Sequence, residues 1–325
     1  MITVPSIPHD EAFNCTEEAL RTLAAWLERN VMLMYASCWR FEYTASSAAP
    51  HLPKIGDRLQ FDLPSSANYQ LLRDHHGIDV LIYSEAPEQL AGRIVSQLKL
   101  GKPVALDIDG YWCPWITAYR KGHIDHGVCI TGWSEEDASF IGVDSYYGQS
   151  EITLPHDHLL QGALNCYTYE LQQPSTSFTA KAWLSRIAGE FHASGTLDAL
   201  RRFGEELAHS FNFARESEGE PVYEQSRFYL QFDRYRRSRR KLAKVLAYLA
   251  HEVEGEVPAL IRPALEAEQL FKHWNAMHKL FLKLFLSGRF DSPRTMLISE
   301  WNEIVRQEEE IYHMLAEQAI EASGI

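Results

Sequence analysis

Apolar residues cluster at Val104–Ile108, Gly127–Trp133 and Phe140–Val143, each run bounded by Gly, Asp or charged residues. Short runs of this kind, rich in Val, Ile and aromatic side chains, predict β-strands. The last two are joined by Ser134–Ser139 (SEEDAS), a short polar connection suited to an antiparallel hairpin. In such a hairpin the start of the first strand lies beside the end of the second. His126 immediately precedes the first strand and Asp144 immediately follows the second. The pattern therefore predicts a His and an Asp meeting at one edge of a sheet.

Elsewhere the period is helical. Leu20, Leu23, Leu27 and Val31 recur three or four apart, with Ala24 on the same face. Asn14 is a good N-cap for this helix, and Glu17, three residues on, completes a capping box. A strand at Ile78–Tyr83 precedes a helix at Pro87–Leu100, whose Leu90, Ile94 and Leu98 share a face and which Gly101-Lys102-Pro103 stops. Residues 36–76 read as irregular, punctuated by Pro50, Pro53, Gly56 and Pro64, with a strand-like piece at Phe41–Thr44. Such a segment suits a substrate-lining lobe. His75 and His76 lead from it into the Ile78 strand, and adjacent side chains of an extended chain point to opposite sides, which excludes a paired metal site. From Phe178 onward the chain reads as long helices broken at Gly195, Gly219–Pro221, Gly255–Pro258 and Gly288–Pro293. Apolar spacing in Leu242–Leu249 and Leu280–Leu284 is that of a helical bundle, with Trp183, Trp274 and Trp301 as core. The expectation is an α+β domain over residues 1–173 followed by an all-α domain over 174–325.

Composition narrows the function classes. With 325 residues, 46% hydrophobic and 23% charged, the chain has the makings of a globular protein of two modest domains. No apolar run approaches the ~18–20 residues that span a bilayer. The start, MITVPSIPHDEAF, lacks the basic and apolar regions of a secretory signal, so a cytoplasmic protein without a membrane partner is expected. A formal net charge of -13 disfavours nucleic acid as a partner. The five cysteines (15, 38, 113, 129 and 166) show no CxxC pairing, which argues against a disulfide framework or zinc knuckle and leaves room for one reactive thiol.

Cys15 is the candidate. It falls in the first helical turn, where unpaired backbone N–H groups and the helix dipole favour thiolate, the nucleophilic form. The other four cysteines lie in apolar or aromatic surroundings without a cap. His123 and His126 form an HxxH pair, but no further ligands accompany it and no metal is expected. His126 is the better general base because it abuts the strand, whereas His123 lies in the approach loop. Asp144 would orient the imidazole and stabilise the imidazolium, the third role in a Cys–His–Asp relay.

The order of these pieces is specific. Asn14-Cys15 at a helix start, Gly101-Lys102-Pro103-Val104 with Asp109-Gly110-Tyr111, His126 before a strand and Val143-Asp144-Ser145 together resemble the butirosin biosynthesis protein H family. More distantly they are similar to papain-like peptidases that process bacteriocin leaders. The resemblance covers roughly residues 10–170. It implies a papain-like domain and a cysteine acyltransferase that binds no cofactor of its own. Such an enzyme takes an acyl or aminoacyl group from the phosphopantetheine arm of an acyl or peptidyl carrier protein and delivers it to an amine in natural-product assembly. Carried over, Cys15 is nucleophile, His126 base and Asp144 its orienter. Asp109 would hold a cationic amine acceptor, and Asn14, Tyr111 and His123 complete the candidate substrate-binding set. The papain-type glutamine is absent, since His9 stands six residues before Cys15, and Asn14 with the Cys15 N–H is the expected oxyanion donor pair.

One feature lies outside this domain. Arg234, Arg236, Arg237, Arg239, Arg240 and Lys241 concentrate positive charge on an acidic chain. The commonest meaning is a solvated helix face paired with Glu residues. The sharper expectation is a dock for an acidic carrier protein, with Arg236, Arg237, Arg240 and Lys241 on neighbouring faces of one helix. Two rival functions remain: a hydrolase of the same fold, peptidase or thioesterase, and a non-enzymatic scaffold.

Overall fold

The computed structural model describes residues 1–61, 65–174, 179–216, 218–219, 226–251, 257–287 and 294–321. Along the chain these form α1 (Cys15–Trp26), a 3-10 turn (Met32–Tyr35), α2 (Ile55–Arg58), α3 (Ser65–His76), β1 (Ile78–Tyr83), α4 (Pro87–Lys99) and β2 (Val104–Asp109). A second 3-10 turn (Gly110–Trp112) precedes β3 (Asp125–Ser134), β4 (Ser139–Asp144), β5 (Gln149–Pro155), α5 (His156–Gly162) and β6 (Ala163–Leu171). Then come α6 (Ala180–Ala193), α7 (Thr196–His209), α8 (Phe213–Glu216), α9 (Arg227–His251), α10 (Pro258–Ser287) and α11 (Arg294–Glu321). The chain divides into two compact units, Met1–Met34 with Tyr69–Ser177, and Tyr35–Asn68 with Phe178–Ile325.

The first unit is α+β. Its six strands form one open antiparallel sheet in the order β1-β6-β2-β3-β4-β5. The β3–β4 hairpin forms as the polarity pattern predicts, with Trp133 opposite Phe140 and Ser134 opposite Ser139. Alternation along the strands then sorts side chains to two faces. Val104, Leu106 and Ile108 of β2, Val128 and Ile130 of β3 and Phe140 of β4 are buried in one cluster with Leu90 and Ile94 of α4 and Leu159 of α5. The alternate positions of β2 and β3 face α1, which packs on both strands. At Gly127 that packing is so close that a Cβ would lie 2.5 Å from the Thr16 backbone.

The second unit is built from α6 to α11 around an aromatic core. Trp39, Phe41, Phe203, Tyr235, Trp274 and Trp301 are all essentially inaccessible, and Trp39 stacks on Phe191 at 3.9 Å between centroids. Gly195, at φ +64, supplies the left-handed turn between α6 and α7. At the centre Glu308, fully buried, accepts hydrogen bonds from Arg239 Nε at 2.7 Å, Trp274 Nε1 at 3.1 Å and Trp39 Nε1 at 2.5 Å. Of the expected breaks, Gly195 and Gly219 are described, whereas Pro221, Gly255 and Gly288–Pro293 lie outside the described residues.

Three sequence expectations change. Residues 35–68 group with the helical unit, not with the N-terminal domain as the 1–173 and 174–325 division expected. Phe41 N donates to Thr196 Oγ1 and Tyr235 OH to the Gln60 carbonyl, so the segment completes a core instead of lining a substrate lobe; its strand-like piece is a single bridge, Tyr43 to Leu59. His75 and His76 close α3 instead of extending toward β1, because Leu71 and Leu72 bury a helical face. The basic run of α9 is no open docking face. Arg236 is only 6% exposed and donates to Asp233 Oδ1 at 2.8 Å, Arg237 reaches Asp233 Oδ2 at 2.6 Å, and Arg240 reaches Glu268 at 2.9 Å. Lys241 Nζ lies 4.8 Å from the Tyr35 ring centroid, and Arg239 is fully buried against Glu308. Burial opposes ionisation of Asp233, yet Arg237 and Arg236 hold its carboxyl below the usual range.

Candidate active site

Cys15 is the first residue of α1. Asn14 Oδ1 accepts the Glu17 N–H at 2.9 Å and Glu17 Oε2 accepts the Asn14 N–H at 2.9 Å, so the capping box is complete. Around this cap the helix start is tied to the sheet. Thr16 Oγ1 donates to Asp107 Oδ1 at 2.6 Å, and Tyr167 OH and Asn165 Nδ2 donate to the other Asp107 oxygen. Burial raises the Asp107 carboxyl above its ordinary range, against the pull of these three donors. Further along α1, Thr22 Oγ1 meets Ser145 Oγ at 2.8 Å, joining the helix to the turn after Asp144.

His126 and Asp144 meet at the open end of the hairpin. His126 Nε2 lies 2.7 Å from Asp144 Oδ2, with both side chains almost completely buried. Cys15 is among the groups that raise the imidazole's pKa, so its thiol lies beside a ring whose Nε2 is committed to Asp144. Cys15 Sγ is 3.8 Å from the carbonyl oxygen of Asp125, the residue before His126. Burial alone would push the imidazole down, but the hydrogen bonds and charges of Asp144 and Cys15 outweigh it and raise its pKa from 6.5 to about 9. A proton held more tightly in the folded state stabilises that state below the unfolded pKa and ceases to do so as pH rises through the folded one. The first unit is therefore expected to lose stability between about pH 6.5 and 9. Thermal unfolding followed across that window checks this, and Asp144→Asn should flatten the slope; a slope unchanged in Asp144→Asn would refute the assignment.

Two groups not legible in the sequence complete the relay. Trp115 Nε1 donates to Asp144 Oδ2 at 2.8 Å, the oxygen that also binds His126, and the Tyr147 N–H donates to Asp144 Oδ1 at 3.1 Å. The Tyr146 and Tyr147 rings lie 6.3 and 5.3 Å from the His126 ring. Nothing local marks Trp115 as a partner of Asp144, whereas Asp107 had a signal: it lies two residues from Asp109 on one strand face.

The substrate-binding candidates separate. Asp109 and Asp125 are register partners at the ends of β2 and β3, beside the nucleophile. His123 pairs with Asp109, Nδ1 to Oδ2 at 2.5 Å, and its ring stacks on Tyr111 at 4.7 Å, so Asp109, Tyr111 and His123 form one cluster. The hydrogen bonds from His123 and the Tyr111 N–H keep the Asp109 carboxyl below its usual range, outweighing partial burial. His123 is largely exposed, on a different carboxylate from His126, so the HxxH pair does not converge. Asn14 sits beside Cys15 but uses its carbonyl oxygen as the helix cap. Arg236, Arg237, Arg240 and Lys241 belong to the other unit and to its internal pairs.

Gly127→Ala tests how far the nucleophile depends on this packing. A Cβ 2.5 Å from Thr16 N and Cα must push the start of α1 off β3. Misplacing a nucleophile by about 1 Å costs on the order of 100-fold. A rate of Cys15 modification within about twofold of wild type would contradict it. Among the described residues no group of three or more His, Cys, Asp or Glu side chains is placed to hold a metal ion.

No protein-family model matches the chain, and no curated protein matches it.

Proposed function

We propose that the first unit is a papain-like cysteine acyltransferase. The observation that carries this reading is one buried imidazole held by Asp144, with the thiol at the start of α1 close enough to help raise its pKa. That arrangement can hold a thiolate–imidazolium pair, attack a thioester carbonyl and return a proton to the leaving thiol. It speaks against a pure scaffold, which has no use for a buried, charged relay.

The resemblance in residues 10–170 supports a more particular reading. The donor is an acyl or aminoacyl group on the phosphopantetheine arm of a carrier protein, and the acceptor is an amine. Asp109 and Asp125, register partners at the end of the sheet where the Asp125 carbonyl meets Cys15 Sγ, bring carboxylates that suit a cationic amine. Attack by Cys15 Sγ forms the acyl-enzyme and expels the pantetheine thiol, and the amine then displaces Cys15. A hydrolase would use water in the second half.

Intact mass spectrometry after incubation with acyl-loaded carrier proteins tests this. The expected result is a mass gain equal to the acyl group, located on Cys15 and absent from Cys15→Ala. Its discharge by added amines, faster than by water, supports transfer; discharge by water alone makes the protein a thioesterase. No adduct with any donor overturns the reading.

A further inference from the structure

Residues 110–124, between β2 and β3, contain Arg120 and Lys121 and no Asp or Glu, on a chain whose formal net charge is -13. Arg120 stands in the left-handed region at φ +55, a conformation that a non-glycine residue keeps only where its surroundings fix it. Its N–H donates to the Tyr111 carbonyl at 3.0 Å, which folds the loop back over the turn after β2. The guanidinium carbon lies 4.1 Å from the Trp112 ring centroid and 5.5 Å from those of Tyr111 and Tyr119. A permanent charge is thus spread against an indole with its outer side exposed.

The frame beneath it is fixed. Helix α5 packs on the Gly110–Trp112 turn so closely that a Cβ on Gly162 would lie 2.7 Å from the Trp112 ring. His158 of α5 is 7% exposed, and its Nδ1 lies 3.0 Å from the Trp112 carbonyl oxygen. A carbonyl only accepts, so Nδ1 carries the proton and Nε2 accepts from Arg120 Nη2 at 3.2 Å. Tyr119 and Tyr111 favour the charged guanidinium still further. Arg21, Arg73 and Arg93 of the same unit each pair with a carboxylate, whereas no carboxylate among the described residues pairs with Arg120. A run of contacts leads from here to the nucleophile. Tyr111 stacks on His123 at 4.7 Å and His123 binds Asp109. Asp109 faces Asp125, whose carbonyl meets Cys15 Sγ at 3.8 Å.

We propose that Arg120 is a phosphate-binding residue that seats the phosphodiester of the pantetheine arm while its thioester reaches Cys15. The inference rests on the acyltransferase reading and adds a point of donor recognition away from the reacting atoms. Phosphate is the one charged group of the arm and lies at the opposite end from the thioester. The electrostatics of the site run the same way. Asp109 and Asp125, nearer the thiol, repel an anion and leave that end to the neutral part of the arm. Arg120, at the outer end, offers the cation. No bond is made or broken there: guanidinium N–H groups donate to the non-bridging phosphate oxygens, a geometry that the planar fork matches and an ammonium does not.

An acyl thioester of pantetheine and one of phosphopantetheine differ only in the group at issue, so acylation of Cys15 by each, followed by intact mass, tests the role. Wild type is expected to acylate from the phosphorylated donor with a second-order rate constant roughly tenfold or more higher, the usual worth of a hydrogen bond to a charged group. Added salt should shrink that preference. Arg120→Gln should bring the two donors within about threefold of each other, and Arg120→Lys, which keeps the charge without the fork, should recover part of the difference. Alkylation of Cys15 by iodoacetamide, which involves no phosphate, should stay within about twofold of wild type in both variants. Equal rates from the two donors in wild type, or an undiminished preference in Arg120→Gln, would overturn the assignment while the acyltransferase reading stands. Alkylation falling together with both acylations would also overturn it, by marking a structural role. If wild type alkylates at Cys15 but acylates from neither donor, the reading falls and the inference with it.

Discussion

Replacing His126 with Ala is expected to slow acylation of Cys15 by roughly 10³-fold or more, because base and nucleophile act as a unit. Asp144 and Cys15 both act on the His126 imidazole, whereas His123 is bound to Asp109 at the surface. His123→Ala should stay within about tenfold of wild type, any loss reflecting Asp109 and Tyr111 rather than proton transfer. Asp144→Asn should fall between them. Its amide keeps the packing but can present a donor to Nε2, which stabilises the wrong tautomer. Single-turnover acylation by a small thioester measures all three. The reverse order, His123 more damaging than His126, would move the base to the loop.

The largest expected effect on stability lies in the second unit. Glu308→Ala removes the acceptor shared by Arg239, Trp39 and Trp274, and leaves the Arg239 guanidinium buried without its counter-ion. Removing one partner of a buried pair costs about 3–5 kcal/mol, because the remaining charge has lost its solvent and its compensation together. Denaturant unfolding followed by tryptophan fluorescence reads this well, since two of the affected groups are indoles. A change under about 1 kcal/mol would mean that Arg239 finds other acceptors, such as the Arg40 carbonyl it already binds.

These cases mark what the sequence conveyed. The β3–β4 hairpin was legible because two apolar runs flank a short polar turn, which brings the start of one strand, at His126, near the end of the other, at Asp144. The cap at Asn14 was legible because capping is local chemistry three residues long. Trp115 was not, since its bond to Asp144 joins a loop to a strand end 29 residues away. The basic run of α9 misled for the same reason. Asp233, which holds Arg236 and Arg237, is local to α9, but charge density along a helix says nothing of where acids from α10 and α11 arrive, and Glu268 and Glu308 stand 28 and 69 residues from the arginines they bind. Helix α3 was obscured by the prolines and glycine around it, although its buried Leu71 and Leu72 carry the helical face.

The bond between Trp39 and Glu308 has a consequence for how the protein is made. Its ends are 269 residues apart. At about 5–20 residues per second, a ribosome leaves the indole waiting roughly 15–50 s for its partner. Trp39, Phe41 and Leu59, all apolar and all bound for that late core, are exposed throughout. A polypeptide released at residue 173 would never bury them, so the α+β unit cannot be isolated by cutting the chain in one place. Chaperone dependence during synthesis should follow residues 35–68, and should vanish when the helical half is supplied on the N-terminal side of that segment by circular permutation.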